Sequence, residues 1–492
     1  MARSLIVSSS PFSMPYSDNS STTAAEPGPK SETGWWTRPC GGFEVMRYAI
    51  PLIVSAGSMS LMNFTDRMIL YVISPTAMSA SMQGGLLFWT LVSLPMSVAA
   101  YTNTFVSQYN GSKHFHRIGP VVWHGIVFGI LMMPLLLLLE PLGKVIFLFF
   151  GHDQQILTLE CSYFRLVLLG SGAVIASEAA ASFFYGRGKM KIVMNVNLFC
   201  VFVNAYLALC WAFGVLGFPR WELEGTAVAT ALTQWIRLAI FIALMLFADG
   251  KEKQYCLTSG LKFDFPLFKR LMYYGLGSGV HIFLDTLCFS LLIFLIGGLG
   301  EEAYNATTFA FTLNTFTFLP IVGTGVAVAT LVGNQLGDNR PDLAERAVNT
   351  VIAIGMFYLL IFGILFLFFP NLFWAWFAFS ADMESFEKTR TIATYLLRFI
   401  AFYLAFDGLG IIYSSAIKGA GDTKFVFLVT LCLAPATPLL CFIGIRFFGL
   451  GLYWCWIVLT LWVLLTGVIF FARFWQGHWK TMRVIEKEFW QM

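Results

Sequence analysis

The chain has 492 residues, of which 58% are hydrophobic and only 12% charged, with a mean hydropathy of +0.73 and a net charge of +4. A soluble domain carries about 25% charged residues, so the composition excludes a soluble globular protein, and the small net charge gives no ground for a nucleic-acid partner. Fifty Phe and fifteen Trp suit lipid-facing and interfacial surfaces. The nine cysteines, at 40, 161, 200, 210, 256, 288, 432, 441 and 455, form no C-x-x-C pair and lie mostly in apolar runs. That pattern argues against a disulfide framework or a zinc site.

Residues 1–40 are dominated by Ser, Thr, Pro and Gly and hold no apolar run long enough for a signal-peptide core. They read as a disordered cytoplasmic arm. About twenty apolar residues cross a bilayer as a helix. Stretches of that length follow at 45–73, 77–106, 118–139, 156–184, 192–215 and 225–248, then at 268–298, 302–333, 347–370, 392–417, 425–447 and 451–474. The polar stretch from Asp249 to Asp264 separates the two sets. The expected fold is all-α: a polytopic membrane protein of twelve transmembrane helices in two six-helix bundles, 41–248 and 268–476, related by pseudo-two-fold symmetry. A cytoplasmic linker at 249–267 and a cytoplasmic tail at 477–492 complete it. With the N-terminus inside, 22 Lys and Arg fall on the inner side and 7 on the outer; Arg67 and Arg237 lie within spans and complete the 31. Basic residues favour the cytoplasmic side, so both termini are placed inside. Arg473, Lys480, Arg483 and Lys487 are expected at anionic headgroups.

Three acids, Asp66, Asp285 and Asp407, lie inside long apolar stretches. A carboxylate at mid-bilayer costs about 2.5–3.5 kcal/mol even on lenient scales and marks an ion or proton pathway by default. The halves also echo each other. Asp66 and Asp285 are 219 residues apart, Gly111 and Gly337 226 apart, and Gly186 and Gly419, each opening a basic glycine loop, 233 apart. A parallel repeat of six spans encloses a central cavity and suits alternating access.

In order and spacing these motifs resemble the multidrug and toxic compound extrusion (MATE) family over nearly all of 45–475. The resemblance rests on Asp66, on the small-residue stretch Gly323-Thr324-Gly325 through Asn334-Gln335-Leu336-Gly337, and on the loop Lys418-Gly419-Ala420-Gly421-Asp422-Thr423-Lys424. It rests also on Gly225-Thr226-Ala227-Val228-Ala229-Thr230. Gly275-Leu276-Gly277-Ser278-Gly279 leading to Asp285, with Asp407 fifteen residues before Asp422, is similar to the NorM-like branch. The resemblance implies a cation site at Asp285 and Asp407, a metal site if the ion is Na⁺, and a cation-responsive group at Asp66. It implies antiport of organic cations or drug-like compounds against inward Na⁺ or H⁺, with no other cofactor, by a monomer in the plasma membrane (the inner membrane of a Gram-negative cell). Three departures stand out: Asp replaces the branch's usual Glu at 285, Arg67 follows Asp66, and His281 lies one helical turn before Asp285.

Around these acids, Thr286, Asn305, Thr308 and Asn314 are candidates to complete an ion's oxygen shell, and Asn63 to hydrogen-bond Asp66. His281 is a candidate proton relay, or a structural histidine. Glu178 either lines the cavity or pairs with Arg165 or Arg237. Phe311 either stacks on flat cations or packs among helices. An alternative cargo on the same fold is a lipid-linked or other amphipathic compound, but anionic phosphates call for several central cations and only Arg67 and Arg237 lie within spans. Six scattered histidines form no catalytic constellation, so the chain does not read as an enzyme. Its partners are expected to be membrane lipids and a small organic cation or amphipathic substrate.

Overall fold

The computed structural model describes residues 34–149, 154–215, 217–252, 254–257, 262–374 and 383–489. Most of the expected N-terminal arm, part of the linker and the last three residues lie outside these. In chain order the helices are α1 (Gly42–Ile73), α2 (Pro75–Ala100), α3 (Thr102–Gly111), α4 (Ile118–Leu137), α5 (Glu140–Phe149), α6 (Gln154–Leu168), α7 (Ser171–Gly186), α8 (Met190–Phe213) and α9 (Glu222–Glu252). The second half holds α10 (Phe265–Gly297), α11 (Glu301–Gly337), α12 (Pro341–Phe368), α13 (Asn371–Trp374), α14 (Met383–Ala420), α15 (Thr423–Leu433), α16 (Ala436–Phe448) and α17 (Leu452–Trp475).

Among the described residues, eleven helical segments are long and apolar enough to cross a membrane, and the pair α6–α7, bent by 41° at its break, makes a twelfth. The expected span 156–184 is this bent pair. The second span is also two helices, α2 and α3, meeting at Tyr101. The α1–α2 corner is written locally. Ser74 is extended because Pro75 disfavours a helical residue before it, its hydroxyl accepts from the Thr76 N–H at 3.2 Å, and Pro75 takes the first helical position, where no donor is missed. Helix α5 was not anticipated; its Gly143 lies against the Phe164 ring of α6.

Two large apolar cores form, one mainly from the first six spans and one mainly from the last six, in a two-lobed arrangement. The internal repeat has a geometric counterpart where the bundles meet. Gln108 donates to the Gly419 carbonyl at 3.1 Å, and Asn334, at the corresponding place in the second half, donates to the Gly186 carbonyl at 2.9 Å. A Cβ on Gly111 would lie 2.0 Å from the Asn334 carbonyl oxygen, and one on Gly337 2.3 Å from that of Gln108. Only glycine permits this reciprocal backbone contact. The two glycine loops also match: Gly188 (φ +73°) and Gly421 (φ +114°) both take the left-handed region that glycine enters freely. The run Gly275–Gly279 has a packing reason as well. Gly275 and Gly279 rest on Val98 and Leu94 of α2, and Ser278 hydrogen-bonds Ser97 at 3.2 Å.

The same end of the molecule is closed by the segment after α17, which forms a strap across both bundles. Trp479 is buried and stacks on Phe474 with ring centroids 4.7 Å apart. Val484 and Ile485 are buried, and the Val484 N–H donates to Gln108 Oε1 at 2.8 Å. Glu486 pairs with Arg117 at 2.7 Å and Arg270 at 3.1 Å and accepts from the Tyr109 hydroxyl at 2.8 Å. Burial alone would raise the Glu486 carboxyl, but a backbone N–H and the Arg117 and Tyr109 bonds outweigh it and hold the group below the usual glutamate range. The expected headgroup contacts are corrected here. Arg473 pairs with Asp422 at 2.7 Å, Lys480 with Glu345 at 2.6 Å, and Arg483 donates to the carbonyls of Lys480 and Met482; Lys487 alone is exposed.

Candidate functional site

The C-terminal bundle holds a cavity of about 90 Å³ lined by both Asp285 and Asp407. Helix α10 brings His281 and Asp285, one turn apart, with His281 Nε2 3.4 Å from Asp285 Oδ2. Helix α14 brings Asp407, Gly410 and Ser414; α15 brings Thr430; α17 brings Trp462, Thr466 and Phe470. Asp407 meets α17 because glycines let the helices touch: a Cβ on Gly410 would come 3.6 Å from Gly467 Cα, and one on Gly467 2.6 Å from the Phe406 carbonyl oxygen. Two carboxylates with the Ser414, Thr430 and Thr466 hydroxyls form an oxygen-rich set that suits a small hard cation or a proton. Among the described residues no group of three His, Cys, Asp or Glu has metal-holding geometry, so a metal cation here would take hydroxyl or water oxygens beside the two acids.

The structure places the expected supporting oxygens elsewhere. Asn305 and Asn314 do not line the cavity: Asn305 is exposed, and the Asn314 side-chain oxygen accepts from Thr317 at 2.9 Å. Thr308, which is exposed, and Thr286 do not line the cavity either. Phe311 stacks on Trp456 (5.0 Å, 17°) and meets Phe289 edge-on, so it packs among helices. The hydroxyls that line the cavity come from α14, α15 and α17, and the sequence signal for the α14–α17 approach is the Gly410–Gly467 pair.

A larger cavity of about 260 Å³ is lined mainly by the N-terminal bundle, by Asn63, Asp66, Arg67, Trp89, Tyr163 and Gln234 among others, with Tyr304 of α11 added from the C-terminal bundle. Asp66 is buried, and its hydrogen-bond partner is Thr230, not Asn63. The Thr230 hydroxyl donates to Asp66 Oδ2 at 2.8 Å and accepts from the Asn204 amide at 3.3 Å. Thr230 closes the Gly225–Thr230 motif, whose Ala229 packs with Ala208 and Ala212 and draws α9 close to α1 and α8. Arg67 is exposed and has no hydrogen bond or ion pair among the described residues.

Glu178 belongs to neither cavity. Its Oε1 lies 2.8 Å from Arg237 Nη2, Arg237 Nε donates to Asn197 Oδ1 at 2.9 Å, and Asn197 donates to Ser55. The acid is thus fixed in a network that ties α1, α7, α8 and α9.

A family model, MatE, matches residues 51–210 and 278–443. A probable multidrug resistance protein NorM of Pseudomonas syringae pv. tomato is 26% identical over 455 residues, spanning 90% of this chain and 96% of that protein. Another, of Thermotoga maritima, is 22% identical over 451 residues, spanning 90% and 94%. The solved eukaryotic MATE transporter AtDTX14 shares the fold at a TM-score of 0.79 and 18% identity, covering 89% of this chain and 96% of that one. Matched over both bundles, the chain belongs to the MatE family, whose members are secondary transporters and not enzymes.

Proposed function

We propose that the protein exports drug-like organic compounds in exchange for inward Na⁺ or H⁺, by alternating access between its two bundles. The observation that carries this reading is the pairing of Asp285 and Asp407 in one small cavity, with a separate and larger cavity beside Asp66 that the N-terminal bundle mainly lines. Each bundle offers one site: the small one for a coupling cation, the large one for cargo. The closed end is the cytoplasmic face, in keeping with its excess of Lys and Arg. A cation entering the acidic cavity from outside neutralises it, the bundles reorient, and cargo leaves. Each charge crossing 100 mV supplies about 2.3 kcal/mol, enough for between one and two decades of cargo gradient.

The test is efflux of a fluorescent organic cation from proteoliposomes, with Na⁺ and H⁺ gradients imposed separately. One gradient should drive transport, which names the coupling ion. Asp407→Asn should lower gradient-driven transport at least 100-fold while the protein still inserts and folds. Unchanged transport in that variant overturns the mechanism.

A further inference from the structure

We infer that the cavity beside Asp66 selects compact aromatic zwitterions, with a cationic amine held at Asp66 and an anionic group at Arg67. This rests on the transport reading above and narrows the cargo to a chemical class.

Three observations carry it. The first is a cluster of unfinished hydrogen bonding. Among the described residues, the buried carboxylate and amide oxygens that lack a partner are three, on Asp66, Asn204 and Gln234. Asp66 and Gln234 both line this cavity, and Asn204 lies behind it on Thr230. A buried acceptor left unpaired costs about 1–3 kcal/mol. A ligand carrying several N–H donors, as an ammonium group does, relieves that cost at one place. The second is Arg67. It lines the same cavity, is exposed, and holds no ion pair. Neighbouring positions on a helix point about 100° apart, so Arg67 and Asp66 flank the space as separate poles. The third is the wall between them. Trp89 and Tyr163 supply aromatic faces, and 260 Å³ lies just under the roughly 300–1,000 Å³ of drug-sized pockets, which limits the cargo to one or two rings. A simple cation would satisfy Asp66 but face the unpaired Arg67, and a simple anion would do the reverse. A molecule bearing both charges satisfies both.

The test uses three indoles of one ring and near-equal size: tryptophan (zwitterion), tryptamine (cation) and indole-3-propionate (anion). Binding of each radiolabelled compound is measured by equilibrium dialysis against the purified full chain in nanodiscs. The native protein should bind tryptophan at least tenfold tighter than either mono-ion. Arg67→Gln should remove that preference and leave tryptamine binding equal or tighter; Asp66→Asn should weaken tryptophan and tryptamine together. An equal or greater affinity for tryptamine in the native protein, an unchanged ratio in Arg67→Gln, or no binding of any of the three overturns the proposal. Monodisperse elution and an unchanged melting temperature show each variant folded. These outcomes are separate from the gradient assay: export of a cationic dye lost in Asp407→Asn upholds the transport reading even where the zwitterion preference fails.

Discussion

The closed end of the molecule and its two cavities treat their buried acids and amides differently. At the closed end the acceptors are satisfied: Gln108 takes the Val484 N–H, Asn334 takes the Asn110 amide, Asp422 takes Arg473, and Glu486 takes two arginines and a tyrosine. In the cavities hydrogen bonding is incomplete, at Asp66 Oδ1 and Gln234 Oε1 in one bundle and at His281 Nδ1 and Trp462 Nε1 in the other. Satisfied acceptors hold a shape, whereas an unsatisfied acceptor on a cavity wall is open to a ligand or ion. Depth in the membrane does not separate the two kinds of acid; fixed partners do.

Glu178 gives that distinction its most severe test, because it is an intramembrane acid with a fixed partner. Arg237→Ala should leave it uncompensated and cost about 3–5 kcal/mol, read as a large fall in melting temperature in detergent. Loss of transport with unchanged stability would instead move Glu178 into the working machinery. The next largest effect is expected at the closed end. Gly337→Ala drives a Cβ to 2.3 Å from the Gln108 carbonyl oxygen. Overpacking of this kind costs about 1–3 kcal/mol, so the bundles should part there. Spin labels on the ends of α3 and α12, in a cysteine-free background, should report a longer distance; an unchanged distance would show that the interlock does not set the conformation.

The smallest effect is expected at the strap. Glu486→Gln removes a charge-assisted pair that is partly open to solvent, about 1 kcal/mol after screening. Tryptic cleavage after Lys480 and Arg483 should rise about fivefold at neutral pH. The native strap should respond to acid with a definite sign. The Glu486 carboxyl is held below its ordinary range, so its contribution is complete above that range and is lost as pH falls through the lowered value. Hydrogen exchange of the strap amides, corrected for the pH dependence of the intrinsic rate, should lose protection only in strong acid. Protection lost already near neutral pH would show that Glu486 does not hold it.

Much of this is legible in the sequence. Span lengths follow from hydropathy, and Asp66, Asp285 and Asp407 stand out because a carboxylate in an apolar run needs a reason. The pairing of Asp285 with Asp407 came from family spacing. What stayed hidden were partners far away in sequence. Thr466 comes to line the Asp407 cavity because a glycine contact brings α17 against α14, and Thr230 reaches Asp66 across 164 residues. The strap misled for a different reason. A short basic amphipathic tail reads the same whether it lies on lipid or on protein, and only the buried Trp479, Val484 and Ile485 distinguish the two.

The reciprocal contact of Gly111 and Gly337 also bears on how the molecule moves. Long side chains can stretch and follow a receding partner; bare backbone cannot. A gap of only 0.5–1 Å forfeits about a quarter to a half of a van der Waals contact. Such a joint has little graded travel: it is seated or it is broken. Opening at this end should therefore occur in single abrupt events separated by long dwells, a kinetic signature that single-molecule distance traces across the two bundles would record as steps, not drift.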